Sequence, residues 1–384
     1  MEAEANRVAL RYVAESTFGE VPSGPPKFKD LRYTGESLHL EQTFVRSNEI
    51  RSDRQTPSVT RVNLNAAGDI SGEFSYGTYD DFLAAVLFAA AWGSSQAGTT
   101  ATAFDMAGTI TVADATNLSV GMWVKIEDAE DAENNGYYKI TAIDTNELTV
   151  TPAPAATNAA DGTAQCKKGT QQIVNGTTAT SFAFEKEFTD LTNVFSLLTG
   201  IMYESMTMTV NTDGIITVSF TTLGKTETGQ TATSGDGAPT AANSNPVMNA
   251  VDNVILILEG TEPTDLTEFS FTINNNLRGR RVIGTLGLRS IGAGSITPTG
   301  TANAYFESNA TMAKFRGNQA TNFALGFEDD AGNGYIIEFP EVKLTAGQTV
   351  AGGINTDVMQ ELTFEPYRDA TENVTVRIVR FPAA

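Results

Sequence analysis

Only one stretch of this chain keeps a helical period. Phe82, Leu83, Val86, Leu87, Ala90 and Ala91 recur at three- and four-residue spacing, which predicts a helix with one buried face. Thr78 with Asp81 gives it a capping-box-like start, Asp80 and Asp81 sit where the helix dipole favours acids, and Gly93 ends it. Residues 191–198 form a weaker helical candidate. Nearly everything else is short runs of β-branched and aromatic residues between turn signals, with 34 glycines in the chain. That pattern predicts a mostly β fold. Asp213-Gly214 marks a hairpin between strands 206–210 and 215–220, with Gly214 supplying a positive φ. Residues 329–334 mark a second hairpin, between 321–328 and 335–344. Residues 69–76 alternate as a strand, and 358–366 with 374–381 are expected as a final strand pair.

The chain has 384 residues, a length that suits two to three domains at about 150 residues each. Residues 95–172 carry the marks of an insertion: polar boundaries, short strands at 108–112, 122–127, 137–143 and 147–151, and a linker-like stretch at 153–160. They predict a small β-barrel or sandwich set within a discontinuous domain made of 1–94 and 173–384. Residues 224–246, rich in Gly, Thr, Ser, Ala and Asn, are expected as one long polar loop.

Composition removes several function classes. Hydrophobic residues are 41% and charged residues 18%, the wrong balance for a disordered chain. The longest apolar run, 82–92, falls short of the roughly 20 residues that cross a bilayer, so no membrane role is expected. The opening Met-Glu-Ala-Glu lacks the basic region and apolar core of a signal peptide, and secretion by that route is not expected. A single cysteine, Cys166, excludes a disulfide framework and a Cys-based zinc cage. A single histidine, His39, excludes a multi-histidine metal site.

Asp and Glu number 46 against 25 Lys and Arg, a formal net charge of −21. The excess is spread along the chain, and no tail concentrates it. Such a protein repels free nucleic acid at long range, which argues against a DNA-gripping module but not against a surface that DNA slides past.

No motif carries chemistry. Leu223-Gly224-Lys225-Thr226 ends like a phosphate loop, but Ser219 stands where the first Gly belongs and no helix pattern follows. The acidic run 127–136 lacks the oxygen spacing and sixth-position Gly of a calcium loop; weak cation binding stays open. Asp329 and Asp330 are turn residues in context, though a catalytic carboxylate pair distant in sequence stays open. His39 suits a surface or interface strand, and Cys166 a packed core position. Asn117, Asn175, Asn309 and Asn373 match the glycosylation pattern, which means little without a secretion signal. Residues 274–281 hold the one compact basic cluster, with Arg278, Arg280 and Arg281; pairing with acids of a neighbouring strand or subunit accounts for it better than nucleic-acid binding.

Several segments resemble one family in their order. They read L-R-Y-T-G-E-S-L from Leu31, S-N-E-I-R-S-D-R from Ser47, A-G-D-I from Ala67 and E-F-S-Y-G-T-Y-D-D from Glu73. In the second half N-N-N-L-R-G-R-R-V-I runs from Asn274, A-Y-F-E from Ala304 and V-M-Q-E-L from Val358. This order is similar to that of the tail tube (major tail) proteins of long, non-contractile-tailed bacteriophages. It covers 1–93 and about 180–384, leaving 95–172 outside as a decoration.

The resemblance implies a β-sandwich subunit with a flanking helix. Six copies would form a ring whose inner strands close into one large β-barrel, and rings would stack into a hollow tube through which DNA leaves the capsid. It implies no enzyme activity and no cofactor. The implied partners are further copies of the chain, a tape measure protein and DNA in the lumen, and tail tip and tail terminator proteins. The implied location is the phage tail, assembled in the host cytoplasm. The segment before Leu31 and the 224–246 loop would be arms reaching neighbours, and an acidic bore would keep DNA from sticking. Candidate inter-subunit contacts are Arg46, Arg51, Arg54, Arg278, Arg280 and Arg281. The inserted segment would point outward, so that its deletion leaves tube assembly intact. A host- or carbohydrate-binding fibre or adhesin module is the alternative.

Overall fold

The computed structural model describes residues 2–260 and 262–383. The chain adopts the expected mostly β architecture. The N-terminal strand β1 (Val8–Ala14) is followed by two long strands, β2 (His39–Arg46) and β3 (Val59–Glu73), and by helix α1 (Asp80–Val86). Residues 99–168 then close on themselves. Their strands are β4 (Thr99–Asp105), β5 (Thr109–Val112), β6 (Trp123–Glu127), β7 (Gly136–Asp144), β8 (Glu147–Thr151) and β9 (Gln165–Lys168). They form a closed barrel in the order β8-β5-β4-β9-β6-β7. The linker-like stretch 153–160 belongs to this barrel, since Asn158 exchanges backbone hydrogen bonds with Phe104.

The chain returns to the body through β10 (Phe182–Phe188), β11 (Phe195–Asn211), β12 (Thr217–Gly224) and β13 (Thr226–Gln230). Next come β14 (Val254–Glu259), β15 (Glu268–Asn274) and β16 (Thr297–Tyr305). Helix α2 (Ala310–Arg316) precedes β17 (Ala320–Glu328), β18 (Gly334–Ala351), β19 (Val358–Pro366) and β20 (Arg377–Phe381). An antiparallel wall runs β2-β3-β12-β11-β15-β16-β19-β18. Its strands alternate: β12, β15 and β16 bury every second residue, so one face of the wall is core. Gly300 of β16 lets that face close, since a Cβ there would meet the Phe364 ring at 2.2 Å.

Helix α1 plugs the core. Its Phe82 ring lies 4.8 Å from Tyr12, 4.9 Å from Tyr203 and 5.4 Å from Phe220, centroid to centroid. The helix is shorter than its apolar period suggests. Phe88 adopts φ 52, and the carbonyls of Leu87 and Phe88 accept hydrogen bonds from Gly176 and Thr178 instead of continuing the helix. The capping box does not form either. Thr78 Oγ1 bonds to Ser75 and Asn243, while Asp81 accepts from Tyr12 and Lys29 and Asp80 from Tyr335 and Arg380.

Three other expectations are corrected. Residues 195–198 are strand, because β11 there is paired on both sides, by β10 and β13, and pairing overrides local helix preference. The Asp213-Gly214 hairpin exists, but its connection is longer than a tight two-residue turn and Gly214 does not take a positive φ. In the second hairpin Gly332 does, at φ 85, while Asp329 accepts from the backbone of Ala331 and Asn333. Strands 358–366 and 377–381 do not pair with each other; β18 pairs with β20 over 334–338 and with β19 over 342–351.

The proposed arms are also held in place. β1 pairs along its length with β10. Residues 226–230 are strand β13, and the loop beyond folds back onto its own subunit. There Thr233 and Ser234 donate to the fully buried Glu185 carboxylate, and Arg32 reaches Asn243 and the Asn245 carbonyl.

Candidate assembly surfaces

Register places a two-stranded ribbon beyond the wall. β3 pairs with β12 only from Ala66 to Glu73, whereas its pairing with β2 runs back to Val59 opposite Arg46. Residues 41–46 and 59–65 therefore form backbone ladder bonds only to each other. An isolated two-stranded hairpin is marginal in water. This one also exposes Phe44, Val45, Val59 and Val62, and Ile50 at its tip is 99% exposed. Exposed apolar groups gathered on a projecting element mark a contact surface.

The connection between β15 and β16 rises beside the ribbon. Arg281 Nε donates to Asn63 Oδ1 at 2.7 Å, and Gly287 packs against Leu64. Its Ile283 is fully exposed. At the far end of the wall the β18–β19 tip presents Ile354, 92% exposed. The outer edge of β2 is open, and so is that of β14 over 254–256, where the chain turning back at 262–264 no longer covers it.

The six candidate arginines fall on these two projections. Arg46, Arg51 and Arg54 are on the ribbon, and Arg278, Arg280 and Arg281 on the adjacent loop; all six are exposed. Arg51 pairs with Asp53 two residues away. Arg278 donates to the Ala293 carbonyl, and the Arg280 guanidinium lies over Gly292. The expected pairing of Arg278, Arg280 and Arg281 with acids of a neighbouring strand is absent among the described residues. Sequence spacing could not bring the two groups together, because it takes the β3–β12 register to do so.

The remaining motifs fall outside any reactive arrangement. His39 is exposed at the start of β2, with Nδ1 2.7 Å from the Ser37 carbonyl. Gly224 ends β12 and Thr226 starts β13, so no phosphate cradle forms. In the acidic run, Glu127 is held below the ordinary carboxylate range: burial opposes this, but Lys125 and Lys167 outweigh it. No cluster of ligating side chains fit to hold a metal occurs among the described residues, and none of their helices is long and apolar enough to cross a membrane. Cys166 lies in the barrel core at 0% exposure, and burial pushes its thiol up to about 12. Alkylation in native buffer is expected to leave it unmodified over a time that labels the urea-unfolded chain completely, as read by intact mass.

The barrel is fixed to the body by a buried contact with no local sequence signature. Trp123 and Tyr137 of the barrel share a core with Leu258, Ala324, Ile336, Val379 and Phe381. At its centre, the Glu338 carboxylate accepts from Trp123 Nε1 at 3.0 Å, Arg377 at 2.7 Å and Lys139 at 2.5 Å. Lys139 also reaches Glu372 at 2.7 Å, and Arg377 pairs with the same carboxylate. Burial alone would depress Lys139 and Arg377, but the two carboxylates hold both above their ordinary values. Glu372 in turn is held below its ordinary value, because these cations outweigh its burial. Bare deletion of residues 95–172 would uncover Ile336, Val379 and Phe381 and strip Glu338 of two partners.

Comparison with known proteins adds one finding. No curated protein matches the chain. A family model described as phage tail tube protein matches residues 5–366, a span that encloses the barrel and therefore does not set it apart from the body. With nearly its whole length matched, and with the mostly β architecture described above, the chain belongs to the phage tail tube protein family.

Proposed function

We infer that this chain is the repeating subunit of a phage tail tube, closing into six-membered rings that stack around a bore through which DNA leaves. The observation that carries this reading beyond family membership is the ribbon. It is a two-stranded projection with open backbone edges and exposed Phe44, Val45, Ile50, Val59 and Val62, a surface that a free monomer has no use for. Edge-to-edge closure between copies would satisfy those edges, as barrels do. Arg46, Arg51, Arg54, Arg278, Arg280 and Arg281 serve in this reading as inter-subunit contacts.

In this reading part of the formal charge of −21 per copy lines the assembled bore and keeps phosphates from adhering during passage. The chain acts without catalysis. Its partners are further copies, the tape measure protein and DNA in the lumen, and the tail tip and terminator proteins, with assembly in the host cytoplasm. Residues 1–94 and 173–384 form the tube domain, and 95–172 a module on its outer face, docked through Glu338.

Negative-stain microscopy of the purified full chain tests the reading. Hollow tubes with an annular repeat are the expected result. Discrete particles that bind glycans, with no tubes at any concentration, would replace it with the adhesin reading.

A further inference from the structure

Charge is evenly spread along the sequence but not in space. In the wall β2-β3-β12-β11-β15-β16, register assigns each connection to one of two ends. Asn274 lies opposite Ser205 and Thr297 at one end, and Glu268 opposite Asn211 and Asn303 at the other. β3 runs from Ala66 opposite Gly224 to Glu73 opposite Thr217, so the ribbon leaves from the same end as the 275–296 connection.

That end is basic. The ribbon carries Arg46, Arg51, Arg54 and Arg61 against Glu41, Glu49 and Asp53. Residues 276–294 add four further arginines and no acid. All of these arginines are exposed, and among the described residues only Arg51 has an ion pair. At the ribbon's base Glu41 accepts from the Asn65 amide; Glu204 beside this end is half-buried, and Glu365, farther along the wall, faces Lys343. The opposite end is acidic. Its connections, 212–216, 250–253, 264–267, 306–309 and 352–357, expose Asp213, Asp252, Asp265, Glu307 and Asp357 and contain no Lys or Arg.

We propose that this separation of charge along the strand direction sets the polarity of the polymer: the basic end of one copy docks on the acidic end of a second copy. The proposal rests on the reading that the chain builds a tube. A contact between unlike ends of identical copies is heterologous and repeats as an open filament. Like ends repel, which suppresses head-to-head pairs and aligns copies during encounter. Exposed Ile50 and Ile283 on one end and Ile354 on the other supply apolar contact that the charges orient.

Two charge-reversed full-length variants test it. One carries Arg54→Glu, Arg280→Glu and Arg281→Glu; the other carries Asp213→Lys, Asp265→Lys and Asp357→Lys. All six positions are exposed, and unchanged thermal melts check that both variants fold. Polymer fraction is read by sedimentation and microscopy at low and high salt. Each variant alone is expected to lose polymer by at least about tenfold at low salt, since like charges now meet. An equal mixture of the two, or one chain carrying all six changes, recovers it, because unlike ends face each other again. Raising salt toward 1 M, where the screening length falls to about 3 Å, reduces unsubstituted polymer. Either folded variant polymerising like the unsubstituted chain, or the mixture failing to rescue, overturns the proposal. Absence of polymer from the unsubstituted chain at every salt concentration sinks the tube reading itself, and this proposal with it.

Discussion

Replacing Glu338 with alanine is expected to lower unfolding stability by about 3–5 kcal/mol, the usual cost of removing one partner from a buried ion pair. The side chain is 3% exposed and holds Arg377, Lys139 and the Trp123 indole together. Without it Glu372 is the one carboxylate left to both cations, Arg377 keeps the Gly121 carbonyl, and Trp123 Nε1–H loses its acceptor. Denaturant unfolding measures the loss, and proteolysis at the segments joining barrel to body is expected to accelerate. An unchanged denaturation midpoint would mean that the barrel does not depend on this contact. The pH dependence has a definite sign. Glu372 is depressed in the fold, so its contribution is present above the ordinary Glu value of about 4.3 and is lost as pH falls through its lower folded value. Lys139 is raised, so its contribution is present below about 10.4 and is lost as pH rises through its higher folded value. Docking is therefore firmest between those limits.

Phe82→Ala is expected to cost a similar amount, about 3–5 kcal/mol, for a different reason. Phe82 is fully buried and its ring meets those of Tyr12, Tyr79, Phe182, Phe184, Tyr203 and Phe220. Truncation leaves a void that β-sheet residues on several sides cannot fill without breaking register. Urea denaturation of the full chain reads it, with Phe82→Leu as the milder comparison. A midpoint within error of the unsubstituted chain would show that α1 is not the plug of this core.

What could be read from the sequence follows from how local each signal is. Both hairpins were legible in place, but only the second in its turn chemistry: Asp329 and Gly332 make their turn with neighbouring atoms, whereas Gly214 does not take the positive φ expected of it. The start of α1 and four of the barrel strands were legible from periodicity. Strands 99–105 and 165–168 were not, since β9 pairs with β4 and β6 across long separations, and a four-residue run such as Gln165–Lys168 carries no pattern. Residues 191–198 misled because helical spacing there coincides with a strand paired on both sides. The docking cluster was invisible, as Trp123 and Glu338 are 215 residues apart. Of the candidate surface, the arginines were visible as residues, while their gathering at one end depends on register alone.

The central claim is that identical copies close through their own sheet edges around an anionic bore. A reconstruction of the assembled full-length chain tests it most directly. The account predicts a hollow polymer in which the open edge of β2 or β14 is paired with a strand of a neighbouring copy, and whose channel wall carries net negative charge. A monomer whose edges stay unpaired at high concentration, or a channel lined with arginine and lysine, would contradict it.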